Sequence, residues 1–365
     1  MAQGTLVLLG SGETAPGMTK VHRDLLHQLD EVRAINLDTA YGFQENVPQM
    51  TAKLVDYFTT SLRTPLLPVH FTSYERSNEL ERVIVKQQVR EANYVFAGPG
   101  SPSYALAQWK PLNLVDDLRQ VLADRGIVCF SSAAVVTLGA FTAPIYEIYK
   151  VGSPLFWLEG LNFMSTIGLN CVTIPHFDNN EGGNYDTRYC YLGERRLQLL
   201  EERLPADVAT LGIDEHTALI FDLDSDSVSV RGRANGYWRH QGTVTVLANG
   251  TTIPLEQLRG STPPPASLSP AAPTSTSSGA LELGALVLEG GPTATEALAR
   301  LVQLALTGSD SHVEAAPLVE GVLAARRGAK KEGHYAIADK LREVLTSAGI
   351  EVQDTSTGTT WSLRD

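Results

Sequence analysis

Residues 126–139 have the sequence GIVCFSSAAVVTLG, an apolar run that leads into small residues and then into a second apolar run. The first run has the length and composition of a buried β-strand, and the second is typical of the start of a helix. Two serines, Ser131 and Ser132, lie at the junction. A strand that turns sharply into a helix at a serine has the outline of a nucleophile elbow. The stretch therefore predicts an α/β fold and a candidate catalytic serine.

Short apolar runs and amphipathic segments alternate over residues 4–250. The predicted strands are 5–9, 34–37, 66–69, 94–97, 128–130 and 171–174, and the predicted helices are 20–29, 50–58, 78–91, 112–124 and 193–203. Such alternation indicates a doubly wound, mainly parallel sheet with helices on both faces. Four further strands, at 208–211, 218–222, 227–231 and 243–247, follow closely on one another and predict a meander added to that sheet.

Four segments, in order along the chain, resemble one family. They are LLGSGE at 8–13, FAGPGS at 96–101, the Ser132-Ala133 pair, and His176-Phe177 followed by Arg188 and Arg195. Together they resemble the cyanophycinase and dipeptidase E family of serine peptidases, a branch of the class I glutamine amidotransferase-like fold. The resemblance spans about residues 4–250. It implies a hydrolase that cleaves a small peptide or amide bond and needs neither a metal nor an organic cofactor.

The elbow leaves two serines open as the nucleophile. Ser132 falls on the serine of the family's Gly-x-Ser-Ala-Gly pattern and is the preferred candidate. The family's flanking glycines are Phe130 and Ala134 here, and a phenylalanine at a tight elbow is expected to fit poorly. Ser131 therefore stays an alternative. If the elbow is not competent, the rival interpretation is a catalytically inactive protein that keeps the fold for binding.

Backbone amides are expected to hold the oxyanion of the reaction. At an elbow, the amide of Ala133 points towards the negative charge that develops on the substrate oxygen. The second donor is expected from the Gly98-Pro99-Gly100 loop, because glycine lets the backbone approach a substrate. Proline has no N–H, so Gly100 or Gly98 must supply this donor.

A histidine and an acid would complete the site. His176 lies at the end of a predicted strand, where active-site loops form in open α/β sheets, and is the candidate general base. Glu215 matches the acid of the family's Gly-x-Asp-Glu-x-Thr-Ala block on the cyanophycinase side. Glu147, fifteen residues after Ser132, lies where the dipeptidase E side has its aspartate. The acid must reach Nδ1 of the histidine, and the sequence leaves both acids open.

Four further residues are candidates for substrate binding: Gly98, Ser101, Arg188 and Glu13. The guanidinium group of Arg188 would hold a substrate carboxylate through two parallel hydrogen bonds, unless it forms an ion pair within the protein. Glu13 follows the first Gly-rich turn, so it lies either near the pocket or at the cap of the first helix.

The composition, with 43% hydrophobic and 19% charged residues in 365 residues, is that of a soluble globular protein. A net charge of −12 argues against a broad nucleic-acid-binding surface. Three cysteines without paired spacing favour neither disulfides nor a zinc site. With no signal-like N-terminus and no membrane span expected, we expect a cytoplasmic protein. Proteins of this fold commonly pair through edge strands or helices, so a homodimer is a candidate state.

The chain is predicted to consist of a peptidase-like domain at 1–258, a Ser/Thr/Pro/Ala linker at 259–280 and a small helical module at 281–365. Helices are predicted at 294–307, 319–331 and 335–347. Residues 318–362 are similar to the C-terminal module of cysteinyl-tRNA synthetases, which contacts tRNA. We therefore expect tRNA contact through Arg326, Arg327, Lys330 and Lys331; the alternatives are packing on the catalytic domain or a protein interface.

Overall fold

A computed structural model of the chain describes residues 3–259, 323, 335–347, 350–355 and 358–363. The chain divides into two compact units, Met1–Ala266 and Ser267–Asp365. The strands are β1 Thr5–Leu9, β2 Ala34–Leu37, β3 Leu66–Val69, β4 Tyr94–Ala97, β5 Ile127–Ser131, β6 Phe141–Thr142, β7 Leu158–Glu159, β8 Cys171–Ile174, β9 Ala209–Ile213, β10 Thr217–Asp222, β11 Ser227–Gly232, β12 Gly236–His240, β13 Thr243–Leu247, β14 Thr252–Pro254, β15 Ile350–Thr355 and β16 Gly358–Leu363.

The helices are α1 Pro16–Leu26, α2 Val47–Tyr57, α3 Glu79–Glu91, α4 Pro102–Leu112, α5 Leu114–Ala123, α6 Ala133–Val136, α7 Glu194–Glu201, α8 Glu256–Arg259 and α9 Tyr335–Ser347. Short 3-10 turns occur at Asp38–Tyr41 and Phe163–Ile167, and π-helical turns at Phe58–Leu62 and Glu147–Val151. Within the described ranges, none of these helices has the length and apolar character needed to cross a membrane.

The first unit is built around an eight-stranded sheet with the order β14-β11-β10-β1-β5-β4-β2-β3. The five strands from β1 to β3 in this order run parallel, and β10, β11 and β14 extend the sheet antiparallel beyond β1. Helices cover both faces, so the predicted doubly wound α/β fold is confirmed.

Alternating side chains of the central strands explain the two-sided core. In β5, Val128 and Phe130 pack into one hydrophobic cluster, whereas Ile127 and Cys129 pack into the cluster on the other face of the sheet. Successive side chains of a strand point to opposite faces, so a fully apolar strand must be covered on both. Helices α3, α4 and α5 supply the first cluster, and α1 and α2 supply the second.

The predicted meander does not form one sheet. Strands β10 and β11 join the large sheet, but β9, β12 and β13 join β8 in a separate four-stranded sheet with the order β13-β12-β9-β8. The predicted strand at 171–174 therefore belongs to this second sheet. Periodicity shows that a segment is a strand but not which strand it pairs with, because pairing depends on tertiary contacts.

The described part of the second unit contains α9 and an antiparallel hairpin of β15 and β16. Helix α9 packs against β15, with Leu345 and Ile350 buried. The helix agrees with the predicted segment 335–347, and the hairpin adds strands to a module expected to be helical. The predicted helix at 294–307 lies outside the described residues, as does the predicted helix at 319–331 apart from Leu323, which is helical.

Candidate active site

The strand-to-helix turn after β5 places Ser132 in a rare backbone conformation. Its φ is 51° and its ψ is −122°. Positive φ is uncommon outside glycine, and such outliers cluster at functional sites. The amide of Ser132 donates to the carbonyl of Leu9 at 3.1 Å, which ties the turn to the end of β1. The turn therefore has the geometry of a nucleophile elbow.

Phe130 does not obstruct this elbow. Its ring is fully buried and packs against Trp109, with 5.5 Å between the ring centroids. The pleat of β5 directs the Phe130 side chain into the core, whereas Ser132 follows the end of the strand. On the other side, Ala134 is small enough to be fully buried at the start of α6. The expected steric conflict therefore does not arise.

A continuous chain of hydrogen bonds joins three of the predicted residues. Ser132 Oγ lies 2.8 Å from His176 Nε2, and His176 Nδ1 lies 2.7 Å from Glu215 Oε1. An ionised carboxylate can only accept, so Nδ1 carries the proton and Nε2 accepts from the hydroxyl of Ser132. The bond from His176 lowers the pKa of Glu215 from 4.5 to about 2, so Glu215 is ionised at neutral pH.

The second sheet brings His176 and Glu215 together. Strands β8 and β9 are parallel neighbours, so the residues that follow them meet at the same edge. His176 follows β8 and donates its amide to the carbonyl of Gly10 at 3.3 Å, which joins this edge to the end of β1. Ser132, at the end of β5 beside β1, therefore faces His176.

Two residues that the sequence did not single out hold Glu215 in place. Asn179 Nδ2 donates to Glu215 Oε1 at 3.0 Å, and the amide of Glu215 donates to Asp178 Oδ1 at 2.7 Å. Both residues lie in the polar run directly after His176 and Phe177. This polar run beside the candidate base was the feature of the sequence that could have indicated them. Orienting contacts of this kind fix the geometry of a catalytic group.

Asp214 fixes the turn that carries Glu215. Its carboxylate accepts the amide of Asn235 at 3.0 Å and the hydroxyl of Tyr237 at 3.1 Å. Burial raises the pKa of Asp214 to about 6. These bonds tie the segment between β9 and β10 to β12, so Glu215 projects from an anchored turn.

The glycine loop after β4 adopts a conformation that needs glycine. Gly100 has a φ of 148°, and a Cβ there would lie 1.9 Å from the carbonyl oxygen of Ala40. A Cβ at Gly98 would lie 3.2 Å from the ring of Phe96. Within the described residues, neither the amide of Gly100 nor that of Ala133 donates a hydrogen bond to the backbone of a turn or loop. Ala133 is the first residue of α6, and the first amides of a helix have no acceptor within that helix. Both amides are therefore available to an external acceptor.

Glu147 does not contact the histidine. It begins the π-helical turn Glu147–Val151, and its Oε1 accepts a hydrogen bond from the hydroxyl of Ser103 at 2.5 Å. Its other oxygen is buried without a hydrogen-bond partner in the described structure. Of the two acids that the sequence left open, Glu215 is therefore the one that meets His176.

The other candidates mostly have partners within the protein. Arg188 donates from Nε and Nη2 to the two carboxylate oxygens of Asp186, both at 2.9 Å, so its guanidinium group is not a free carboxylate clamp. Ser101 is buried and caps α4 by accepting the amide of Tyr104 at 3.3 Å. In each case a polar group two or three residues away in the sequence takes up the hydrogen bond that a substrate would need.

Glu13 and Ser131 bind each other. The hydroxyl of Ser131 is buried and donates to Glu13 Oε2 at 2.8 Å. Ser131 therefore points to the α1 side of the sheet and does not contact His176. Glu13 does not cap α1, because its carboxylate is used in this bond and its carbonyl accepts from the buried ring of His22 at 2.9 Å.

Solved structures of other proteins have a fold similar to that of this chain. No family model matches the chain. The chain is similar to the crystal structure of a peptidase from an acI-B1 Actinobacterium, with a TM-score of 0.56 and 21% identity over 69% of this chain and 97% of that one. A putative peptidase E protein from Listeria monocytogenes EGD-e aligns with a TM-score of 0.43 and 14% identity over 64% of this chain and 100% of that one. At 21% identity, the first likeness concerns the shared fold.

A short stretch is similar to a protein of another class. The cysteine–tRNA ligase of Helicobacter hepaticus is 51% identical over 43 residues, which is 12% of this chain and 9% of the ligase. The chain therefore spans about a tenth of the length of this curated relative. The local match agrees with the resemblance that the sequence predicts for residues 318–362.

Proposed function

We propose that the protein is a serine-type hydrolase that cleaves a small peptide or amide bond. The hydrogen-bond chain from Ser132 through His176 to Glu215 carries this proposal. A nucleophile bonded to a base, with the base oriented by an acid, is the arrangement that activates a hydroxyl for attack. The peptidase named among the structures of similar fold supports the same class of reaction.

In the proposed mechanism, the oxygen of Ser132 attacks the substrate carbonyl carbon while His176 Nε2 takes the hydroxyl proton. The ionised Glu215 stabilises the imidazolium that forms and keeps its Nδ1 proton in place. The amides of Gly100 and Ala133 donate to the oxyanion. His176 then gives its proton to the leaving nitrogen, the C–N bond breaks, and an acyl ester on Ser132 remains. Water, activated by the same histidine, hydrolyses that ester and restores the hydroxyl.

The rival proposal is a binding protein without catalysis, which the sequence supports through Phe130 and Ala134. The 2.8 Å contact between Ser132 and His176 favours the enzyme, because a lost site need not keep a nucleophile and base within hydrogen-bond distance.

Fluorophosphonate labelling separates the two proposals. We expect one adduct, mapped by mass spectrometry to Ser132, in the folded wild-type protein and in Ser131→Ala, and none in Ser132→Ala. An adduct that persists in Ser132→Ala but is lost in Ser131→Ala would move the nucleophile to Ser131. Labelling at neither serine would reject the hydrolase.

We also propose that the second unit binds tRNA and recruits the hydrolase to it. The match of 43 residues to a cysteine–tRNA ligase supports this proposal. The four basic residues predicted to contact tRNA, at positions 326, 327, 330 and 331, lie outside the described residues. A mobility-shift assay of the full chain with bulk tRNA should show binding that weakens as salt rises.

Replacing these four basic residues by alanine should remove the shift, whereas Lys20→Ala, a change at an exposed lysine of α1, should leave it intact. If the wild-type chain shows no salt-sensitive shift, the tRNA proposal is rejected. The two alternatives for the module are then packing on the catalytic domain and an interface with another protein.

A further inference from the structure

Three tyrosines form a row beside the proposed general base. The ring of Tyr191 lies 6.3 Å from the ring of His176, measured between centroids. Tyr149 stacks on Tyr191 at 5.0 Å with an interplanar angle of 29°, and Tyr185 stacks on Tyr149 at 6.3 Å and 30°. We call Tyr149, Tyr185 and Tyr191 the tyrosine row. It extends from the catalytic histidine towards the surface, where Tyr185 is 56% exposed.

Hydrogen bonds at the hydroxyl ends hold these rings in position. The hydroxyls of Tyr149 and Tyr185 lie 2.5 Å apart, and the hydroxyl of Tyr191 donates to Glu181 at 2.6 Å. Because the polar ends are engaged with each other and with an acid, the rings present apolar surface. Rigid, partly exposed aromatic rings provide binding area at low entropic cost.

The backbone that carries Tyr191 is strained. Tyr189, Cys190 and Tyr191 have φ values of 59°, 54° and 66°, three consecutive left-handed conformations without a glycine. Such conformations are costly and persist where the surroundings enforce them, often at ligand sites. Here the amide of Cys190 donates to the carbonyl of His176 at 3.1 Å. The strained turn therefore carries Tyr191 to a position beside the histidine ring.

Charges around the row favour an apolar planar ligand group. The ammonium group of Lys150 already lies 4.7 Å from the centroid of the Tyr149 ring, so a second cation there would be repelled. A carboxylate beside Tyr191 would be repelled by that of Glu181, which accepts the hydroxyl of Tyr191. An aromatic side chain has neither problem and can stack on tyrosine.

The position next to His176 decides which part of the substrate reaches the row. In the proposed mechanism His176 gives its proton to the leaving nitrogen, so groups beside this ring lie near the leaving amine. We propose that the tyrosine row is a subsite for an aromatic side chain on the leaving-group residue, the residue on the carboxyl side of the cleaved bond. This inference rests on the proposed hydrolase function and adds its substrate class.

Matched dipeptides test the subsite. We expect kcat/KM for Ala-Phe to exceed that for Ala-Ala by roughly three- to tenfold, the value of one aromatic stacking contact. In Tyr191→Ala the ratio should fall to about one, while Tyr191→Phe, which keeps the ring but loses the bond to Glu181, should retain most of it. Val246→Ala, at a 54% exposed apolar residue on β13, is the matched control and should keep the full ratio.

A second measurement does not depend on dipeptide hydrolysis. An activated ester such as p-nitrophenyl acetate transfers its acetyl group to Ser132 and releases p-nitrophenolate, and added phenylalaninamide or alaninamide then competes with water for the acetyl group. The amine nitrogen forms the new amide bond, and the serine oxygen leaves with a proton returned through His176. We expect phenylalaninamide to capture the larger share in wild type and in Tyr191→Phe, and equal shares in Tyr191→Ala.

These results also distinguish failure of the subsite proposal from failure of the hydrolase proposal. Equal capture of the two amines by wild type, or a Phe preference that survives in Tyr191→Ala, would overturn the subsite and leave the hydrolase intact. Failure to acylate Ser132 at all would instead remove the hydrolase. Melting temperatures of the variants, compared with wild type, identify any loss that comes from unfolding.

Discussion

Replacing Glu215 by glutamine and by alanine should reduce activity to very different extents. Both His176 Nδ1 and Asn179 Nδ2 contact the same atom, Glu215 Oε1, at 2.7 and 3.0 Å. A glutamine that places its oxygen there keeps both donors satisfied, so the histidine tautomer survives and the loss is that of the negative charge. An alanine removes the acceptor altogether and frees the imidazole to rotate or change its tautomer.

The magnitude for glutamine follows from the charge that the substitution removes. A hydrogen bond to an ionised acceptor contributes roughly 1.5–3 kcal/mol and one to a neutral acceptor roughly 0.5–1.5 kcal/mol, a difference of about 1.5 kcal/mol. Glu215 is 25% exposed and bonds the ring that becomes an imidazolium in the proposed mechanism, so this difference acts on the transition state. We therefore expect kcat/KM of Glu215→Gln to fall about tenfold, since about 1.4 kcal/mol changes a rate tenfold. For Glu215→Ala we expect roughly a thousandfold loss or more, as when the acid of a triad is removed.

Glu147→Gln is the matched control, because this acid binds Ser103 and not His176. Steady-state hydrolysis of one dipeptide by all three variants, with melting temperatures as a check on folding, completes the comparison. Equal losses for the glutamine and alanine variants at 215 would show that the shared contact on Oε1 does not preserve the tautomer. A larger loss for Glu147→Gln than for Glu215→Gln would assign the orienting role to Glu147.

Three further predictions follow from particular residues. Gly100→Ala should abolish activity or destabilise the protein, because its Cβ would lie 1.9 Å from a carbonyl oxygen of Ala40; thermal melting together with phosphonate labelling distinguishes the two outcomes. Since the folded pKa of Glu215, about 2, lies below its ordinary value of 4.5, its ionisation stabilises the fold above pH 4.5, and that contribution is lost as pH falls towards 2. Urea unfolding of wild type and Glu215→Gln should therefore converge as pH falls below 4.5, and a constant difference would contradict this. Burial raises the pKa of Cys129 and that of Cys190 to about 12, so iodoacetamide at pH 8 should modify these thiols only after denaturation; modification of the native protein would show that the structure opens there.

The sequence alone predicted seven of the eight strands of the large sheet and the sharp turn that follows β5. Strand β5 begins with four consecutive apolar residues, and only a sheet covered on both faces buries every one of them. Small residues between a strand and a helix likewise indicate a sharp turn, whatever surrounds it. These features depend on residues adjacent in the chain, so periodicity and composition suffice to predict them.

Which distant residues meet was decided only by the tertiary structure. Glu215 follows His176 by 39 positions, and the two come together because β8 and β9 pair in parallel. The sequence offered Glu147 as the alternative acid, and only the path of the chain places it against Ser103. The division of the predicted meander between two sheets has the same origin, because the residues of a strand do not specify which other strand it pairs with. Local periodicity fixes what each segment becomes, whereas contacts across the fold fix which segments share a site.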